Sequence, residues 1–203
     1  MPYITDIQWK GQSRRRARIY IDGEWWMTLE REIIENVGLA RGAELSEEEM
    51  TALERGIVEE KAKLFLLRSL SAREQTRAEL EGKLEKREVP KEIAARALEA
   101  VVGWGLINDE QVARGLANNL FEKGYWWRRA QVKMRQRGVP GDLAEQIVAE
   151  VFLAEEEVPV ARRALRGRRA NGDLRERKRL LDFLLRRGFS YDAAKKALSE
   201  DEA

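Results

Sequence analysis

Residues 134–148, "MRQRGVPGDLAEQIV", decide how the chain is read, because the same pattern stands fifty residues to either side. "LEKREVPKEIAARAL" at 84–98 and "LLRRGFSYDAAKKAL" at 184–198 align with it without gaps. Arg87, Arg137 and Arg187 coincide, as do Ala94, Ala144 and Ala194, and the apolar sets Leu84, Met134, Leu184 and Val89, Val139, Phe189. Three copies in phase are the signature of tandem units. Each unit carries three helical patterns with short connections: in the first, a helix ending near Leu70, a second opening after Ser71 and running to Arg87, and a third from Pro90 to about Trp104. Pro90 and Pro140 suit helix starts and Ser190 suits an N-cap. Small three-helix units cannot each bury a complete core, so the expected fold is mainly α: three tandem three-helix repeats in an elongated, curved array.

Ahead of the repeats, "YITDIQW" and "ARIYIDGEWWMTL" alternate as strands do, and Asp22-Gly23 between two apolar runs predicts a tight hairpin turn. A small sheet is followed by a short helix in "EREIIENVGL" closed by Gly38, and Ser46 with Glu49 has capping-box spacing for a long helix. The expected divisions are a β-hairpin extension with a short helix over 1–45 and repeats over 46–107, 108–154 and 155–203.

Composition narrows the chemistry. The 203 residues contain neither Cys nor His, so thiolate nucleophiles, imidazole bases and the usual zinc ligands are absent together. No Gly-rich loop followed by Lys and Ser or Thr suggests nucleotide hydrolysis. Asp109 with Glu110 and the run Glu155–Glu157 do not converge with other groups as a catalytic site does, and Asp109 is expected to cap the helix that follows it. We therefore expect no enzyme, no cofactor and no metal. No run reaches the roughly 18 apolar residues of a membrane span and the first residues lack signal-peptide order, so the expected location is cytoplasmic, with a monomer sufficient.

Charge is unevenly spread although the net is only +2. Residues 30–60 hold ten acids against Arg31, Arg41 and Arg55, whereas 123–141 hold six basic residues and no acid, and 162–187 hold eleven basic residues against three acids. Such asymmetry suggests an anionic partner for the C-terminal half. Within "GYWWRRAQVKMRQRGVP" at 124–140, Trp127, Ala130 and Met134 fall on one helical sector and read as core; Arg129, Lys133 and Arg137 form a row on one flank, with Arg128 and Arg135 on the other. Lys123, Arg162 and Arg163 complete the candidate partner-binding set. Tyr125 and Trp126, as turn residues, are candidate exposed aromatic contacts for bases or protein. "ARRALRGRRANGDLRERKR" at 161–179 fits a looser basic connection broken by Gly167 and Asn171-Gly172. At Arg14–Arg16 an anion contact and a plain solvated turn fit equally.

Taken in order, "FLLRSLSAREQTRAELEGKLEKREVP", "GLINDEQVARGLANNLFEKG" leading into "VKMRQRGVP", and "RKRLLDFLLRRGFSYDAAKKAL" resemble the RecX family of bacterial regulatory proteins over nearly the whole chain. The N-terminal segment resembles the extension that many members carry. The resemblance implies three-helix repeats that bind the RecA recombinase filament on DNA, lodge in its groove and suppress ATP hydrolysis, strand exchange and co-protease activity, in recombination, DNA repair and the SOS response. Single-stranded or filament-bound DNA is then a further contact. Tyr125-Trp126-Trp127 depart from the small or proline-containing turn that the family usually has there. Two other readings remain open: a stand-alone DNA binder with helix-turn-helix-like units, and a scaffold that packs only against protein.

Overall fold

A computed structural model of the chain describes residues 1–152, 155–168 and 174–199, so Asn171-Gly172 lies outside the described residues. It begins with an antiparallel sheet of β1 (Ile4–Lys10), β2 (Arg16–Ile21) and β3 (Glu24–Glu30), with β2 central. Asp22 and Gly23 both take positive φ, at 51° and 87°, as the hairpin turn requires. Alternation along β2 sends Ala17 and Ile19 into a core with Ile4 and Leu29, while Arg16 and Arg18 point to solvent. Helix α1 (Arg31–Asn36) ends at Gly38, whose φ of 67° lets its amide reach the Glu35 carbonyl. Helix α2 (Glu47–Ala72) opens on the expected capping box: Ser46 Oγ accepts from the Glu49 amide at 3.1 Å, and the Glu49 carboxylate accepts from the Ser46 amide at 2.7 Å. Ile57 carries α2 into the core under the sheet.

The remaining helices are α3 (Arg77–Glu85), α4 (Lys91–Gly103), α5 (Asp109–Glu122), α6 (Trp127–Gln136), α7 (Gly141–Phe152), α8 (Glu157–Ala164), α9 (Leu174–Arg186) and α10 (Tyr191–Ser199). The third helices of the repeats begin at Lys91, Gly141 and Tyr191, so the fifty-residue period is kept to the residue. Two boundaries differ from expectation. Helix α2 runs through Ser71 to Ala72, and α3 opens only at Arg77, because Thr76 and Glu79 form a second capping box with both bonds at 3.1 Å. Helix α5 is capped by Asn108, whose Oδ1 accepts from the Gln111 amide at 2.9 Å, and not by Asp109. The Asp109 carboxylate instead accepts from the Arg77 amide at 2.8 Å, serving the first turn of α3. In the last repeat Ser190 Oγ accepts from the Ala193 amide as expected of an N-cap.

The chain forms two compact units. The first holds the sheet, α1, α2, α4 and the part of α3 from Leu80 onward, with Leu66, Leu80 and Leu84 fully buried. The second takes Glu74–Glu79 and the chain from Ile107, and its core runs from Ala113 through Met134, Ile147 and Phe152 to Leu198.

Candidate partner interface on the middle repeat

Helix α6 begins at a junction that the second unit contains twice. At the first, the turn Gln75-Thr76 is buried, and Thr76 Oγ1 donates to the Arg137 carbonyl at 2.6 Å. Fifty residues on, the turn Tyr125-Trp126 receives the corresponding carbonyl, and the Trp126 amide donates to Arg187 O at 2.8 Å. The two bonds each span 61 residues. Trp126 is therefore a core residue, only 3% exposed: it stacks on Phe189 at 5.7 Å and meets Phe152 edge-on at 6.1 Å. This corrects the expectation of an exposed Trp126, while Trp127 packs against the margin of the core. Trp126 is the N-cap, with extended φ and ψ of −102° and 164°, so a helical wheel projected back through it misplaces its ring. Trp127 is half-buried beneath Arg128, whose guanidinium carbon lies 4.5 Å from the ring centre; Ala130 and Met134 are buried as expected.

Tyr125 is half-buried and engaged. Arg187 lies 4.8 Å from its ring centre and Lys133 5.4 Å, so the ring is a seat for two cations and not an open stacking platform. Arg187 also donates to the Lys123 carbonyl and lies 4.4 Å from the Phe183 ring. Sequence reasoning missed this role for Arg187, although its alignment with Arg137 is a signal for it.

The candidate cations fall into distinct groups. Arg137, the C-cap of α6, gives a two-pronged pair to Glu79 at 3.0 and 2.9 Å and a further bond to the Glu74 carbonyl at 3.3 Å. Its guanidinium is committed to the fold and leaves the row expected for Arg129, Lys133 and Arg137. Arg128 pairs with Glu157 at 3.5 Å, Arg135 with Glu145 at 3.8 Å, and Arg163 with Glu155 at 3.7 Å while lying over Phe121. Arg162 is exposed in the last turn of α8. Lys123, Arg129 and Lys133 have no ion pair among the described residues. Arg129 and Lys133 stand one turn apart on α6 and form the unneutralised part of the flank. Among the described residues no group of three or more acidic, His or Cys side chains is placed to hold a metal, and no helix is long and apolar enough to cross a membrane.

A tandem three-helix protein with a basic flank on its middle repeat is the class that this fold and surface define. Family models described as the first and third three-helix domains of RecX match residues 62–99 and 158–198. The regulatory protein RecX of Mycolicibacterium smegmatis is 33% identical over 153 residues, covering 71% of this chain and 81% of its own. That of Caldanaerobacter subterraneus subsp. tengcongensis is 25% identical over 190 residues, covering 94% and 95%. A crystal structure of regulatory protein RecX has the same fold, with a TM-score of 0.62 over 97% of this chain and 98% of that one at 21% identity. The chain belongs to the RecX family of regulatory proteins.

Proposed function

We propose that the chain is a cytoplasmic modulator of the RecA filament on DNA that lowers its ATPase, strand-exchange and co-protease activities in recombination and repair without catalysing a reaction of its own. Family membership supports RecA as the partner. The observation that carries the site is the pair Arg129 and Lys133, one turn apart on α6 and without an ion pair among the described residues. A filament groove lined partly by phosphate favours such a cationic flank. Lys123 adds a third charge at the end of α5, and Arg128, Arg135, Arg162 and Arg163, exposed on α6 and α8, are the secondary candidate contacts.

The test is RecA ATPase on single-stranded DNA with the unaltered chain and with an Arg129→Glu, Lys133→Glu variant. Arg137 stays intact, since reversing it breaks the Glu79 pair and confounds binding with folding. The unaltered chain should inhibit well below the amount needed to coat the DNA, and the variant should not. No inhibition by the unaltered chain overturns the function; equal inhibition by both overturns the site.

A further inference from the structure

We propose that the open face of the N-terminal sheet is a second, independent site, which binds single-stranded nucleic acid. Strand pairing sets three cross-strand rows on this face: Lys10, Arg16 and Glu30; Gln8, Arg18 and Thr28; Asp6, Tyr20 and Trp25. Their neighbours Ala17, Ile19 and Leu29 occupy the opposite, buried face. Trp25 is 61% exposed, across the ladder from Tyr20, and Arg18 projects to solvent from the next row of the central strand. From the Tyr20 row to the Arg16 row is four residues, about 13 Å at the rise of a strand.

At the Arg16 end the face runs into a cleft of about 590 Å³ lined by Ser13, the four arginines Arg15, Arg16, Arg31 and Arg68, and the two acids Glu30 and Glu32. Glu30 fixes two of these arginines, accepting from Arg68 at 2.6 Å and from Arg16 at 3.1 Å. The bond from Arg68 holds its carboxyl below the ordinary value, against an opposing push from burial and with a further pull from Arg16. Arg31 is held by its bond to the Arg14 carbonyl, pairs with Glu35 at 3.9 Å and lies 4.8 Å from the Trp9 ring. Lys10, Arg15 and Arg18 have no ion pair among the described residues. Four arginines against two acids leave the cleft net positive, with Arg15 as its arginine without an ion pair among the described residues, and forked donors of this kind match phosphate oxygens.

Two physical points separate this site from an ordinary solvated surface. Lysines on edge strands protect a sheet from adding further strands, which accounts for Lys10, but Arg16 and Arg18 belong to the central strand, which has no edge to protect. An indole left largely in water one row from the unpaired Arg18 is the combination that stacks a base while a cation follows the backbone, as on other sheets that read single strands. A duplex keeps its bases stacked inside and offers Trp25 no face.

The site is tested with the full chain and no RecA, by anisotropy of a short labelled oligothymidylate against a hairpin duplex of equal length. The unaltered chain should prefer the single strand. Trp25→Ala should weaken binding about tenfold or more, the weight of one stacked base, and Trp25→Phe should restore most of it. Arg18→Gln should reduce the salt slope by about 0.7 between about 50 and 200 mM salt. All three variants should melt like the unaltered chain, because both side chains are exposed. Failure to bind, preference for the duplex, or affinity unmoved by Trp25→Ala overturns the proposal. So does loss of binding in the Arg129→Glu, Lys133→Glu variant with retention in Trp25→Ala, which transfers the contact to α6. Because RecA is absent, this outcome is independent of the ATPase result.

Discussion

The second unit docks the last carbonyl of a helix onto another helix start twice, at the same repeat positions but with a different donor and opposite side-chain chemistry. At Thr76 the contact is polar: a hydroxyl bonds the Arg137 carbonyl, a capping box closes α3, and Glu79 holds the Arg137 guanidinium with two bonds. At Trp126 the hydroxyl is replaced by an indole on Phe189, the N3 carboxylate by Arg129, and α6 starts with no side-chain cap. Arg187, lacking a carboxylate at the corresponding place, turns onto Tyr125 and Phe183. The repeat thus keeps the docked carbonyl, moves its donor from a Thr76 hydroxyl to the Trp126 amide, and exchanges an ion pair for ring stacking. Carrying Arg129 where the first junction has Glu79 has a surface consequence as well: it leaves a cation on α6 that has no ion pair among the described residues.

The largest effect expected from this contrast is at the rings. Trp126→Ala removes a buried indole from between Phe152 and Phe189 and should cost about 3–5 kcal/mol in urea denaturation. Thr76→Ala removes a cap and one hydroxyl bond and should cost about 1–2 kcal/mol. Equal costs would show that the aromatic junction adds no packing energy over the polar one. Trp126→Phe should cost less than its lost area suggests, since the Trp126 Nε1 is buried without a hydrogen-bond partner among the described residues.

Much of this was legible in the sequence and a definite part was not. The phase of the three copies placed every third helix, and the Asp22-Gly23 turn and Ser46 cap follow from local chemistry that acts within four residues. The burial of Trp126 comes from a bond 61 residues away, which no local period contains. Likewise the commitment of Arg137 depends on Glu79, three helix connections earlier, so a helical wheel of α6 counts it with the free cations. The open sheet face lay within reach, because the alternation of Arg16, Arg18 and Tyr20 against Ala17, Ile19 and Ile21 already divides the strand into two faces.

A second experiment uses the position after each repeated arginine, occupied by Glu88, Gly138 and Gly188, all with positive φ. A Cβ at Gly188 would sit 2.7 Å from the Arg129 amide nitrogen and 2.9 Å from its Cβ, so Gly188→Ala should cost about 2–4 kcal/mol and resist rescue, because backbone is in the way. A Cβ at Gly138 would meet the Ala78 Cβ at 2.4 Å, and Ala78→Gly should restore much of the loss in Gly138→Ala. Glu88 is exposed in the same conformation, and Glu88→Gly should gain about 0.5–1 kcal/mol. Rescue at both glycines would mean that the two dockings are alike after all.

The smallest effect is the most specific. Arg129→Glu returns to the second junction the carboxylate that Glu79 supplies to the first, and it places an anion rather than a cation in the first turn of α6. If the fifty-residue equivalence extends to side chains, Arg187 gains a partner and the chain gains about 0.5–1 kcal/mol. In an Arg187→Gln background only the helix-dipole part of that gain should survive, so urea midpoints of the two single variants and the double variant isolate the pair. The same substitution should weaken inhibition of RecA, because it reverses one of the two free charges on the α6 flank. Stability and inhibition moving in opposite directions is the expected signature of a residue that the fold does not need and the partner does. A loss of stability, or an equal gain with and without Arg187, would confine the equivalence of the two junctions to the docked Arg137 and Arg187 carbonyls.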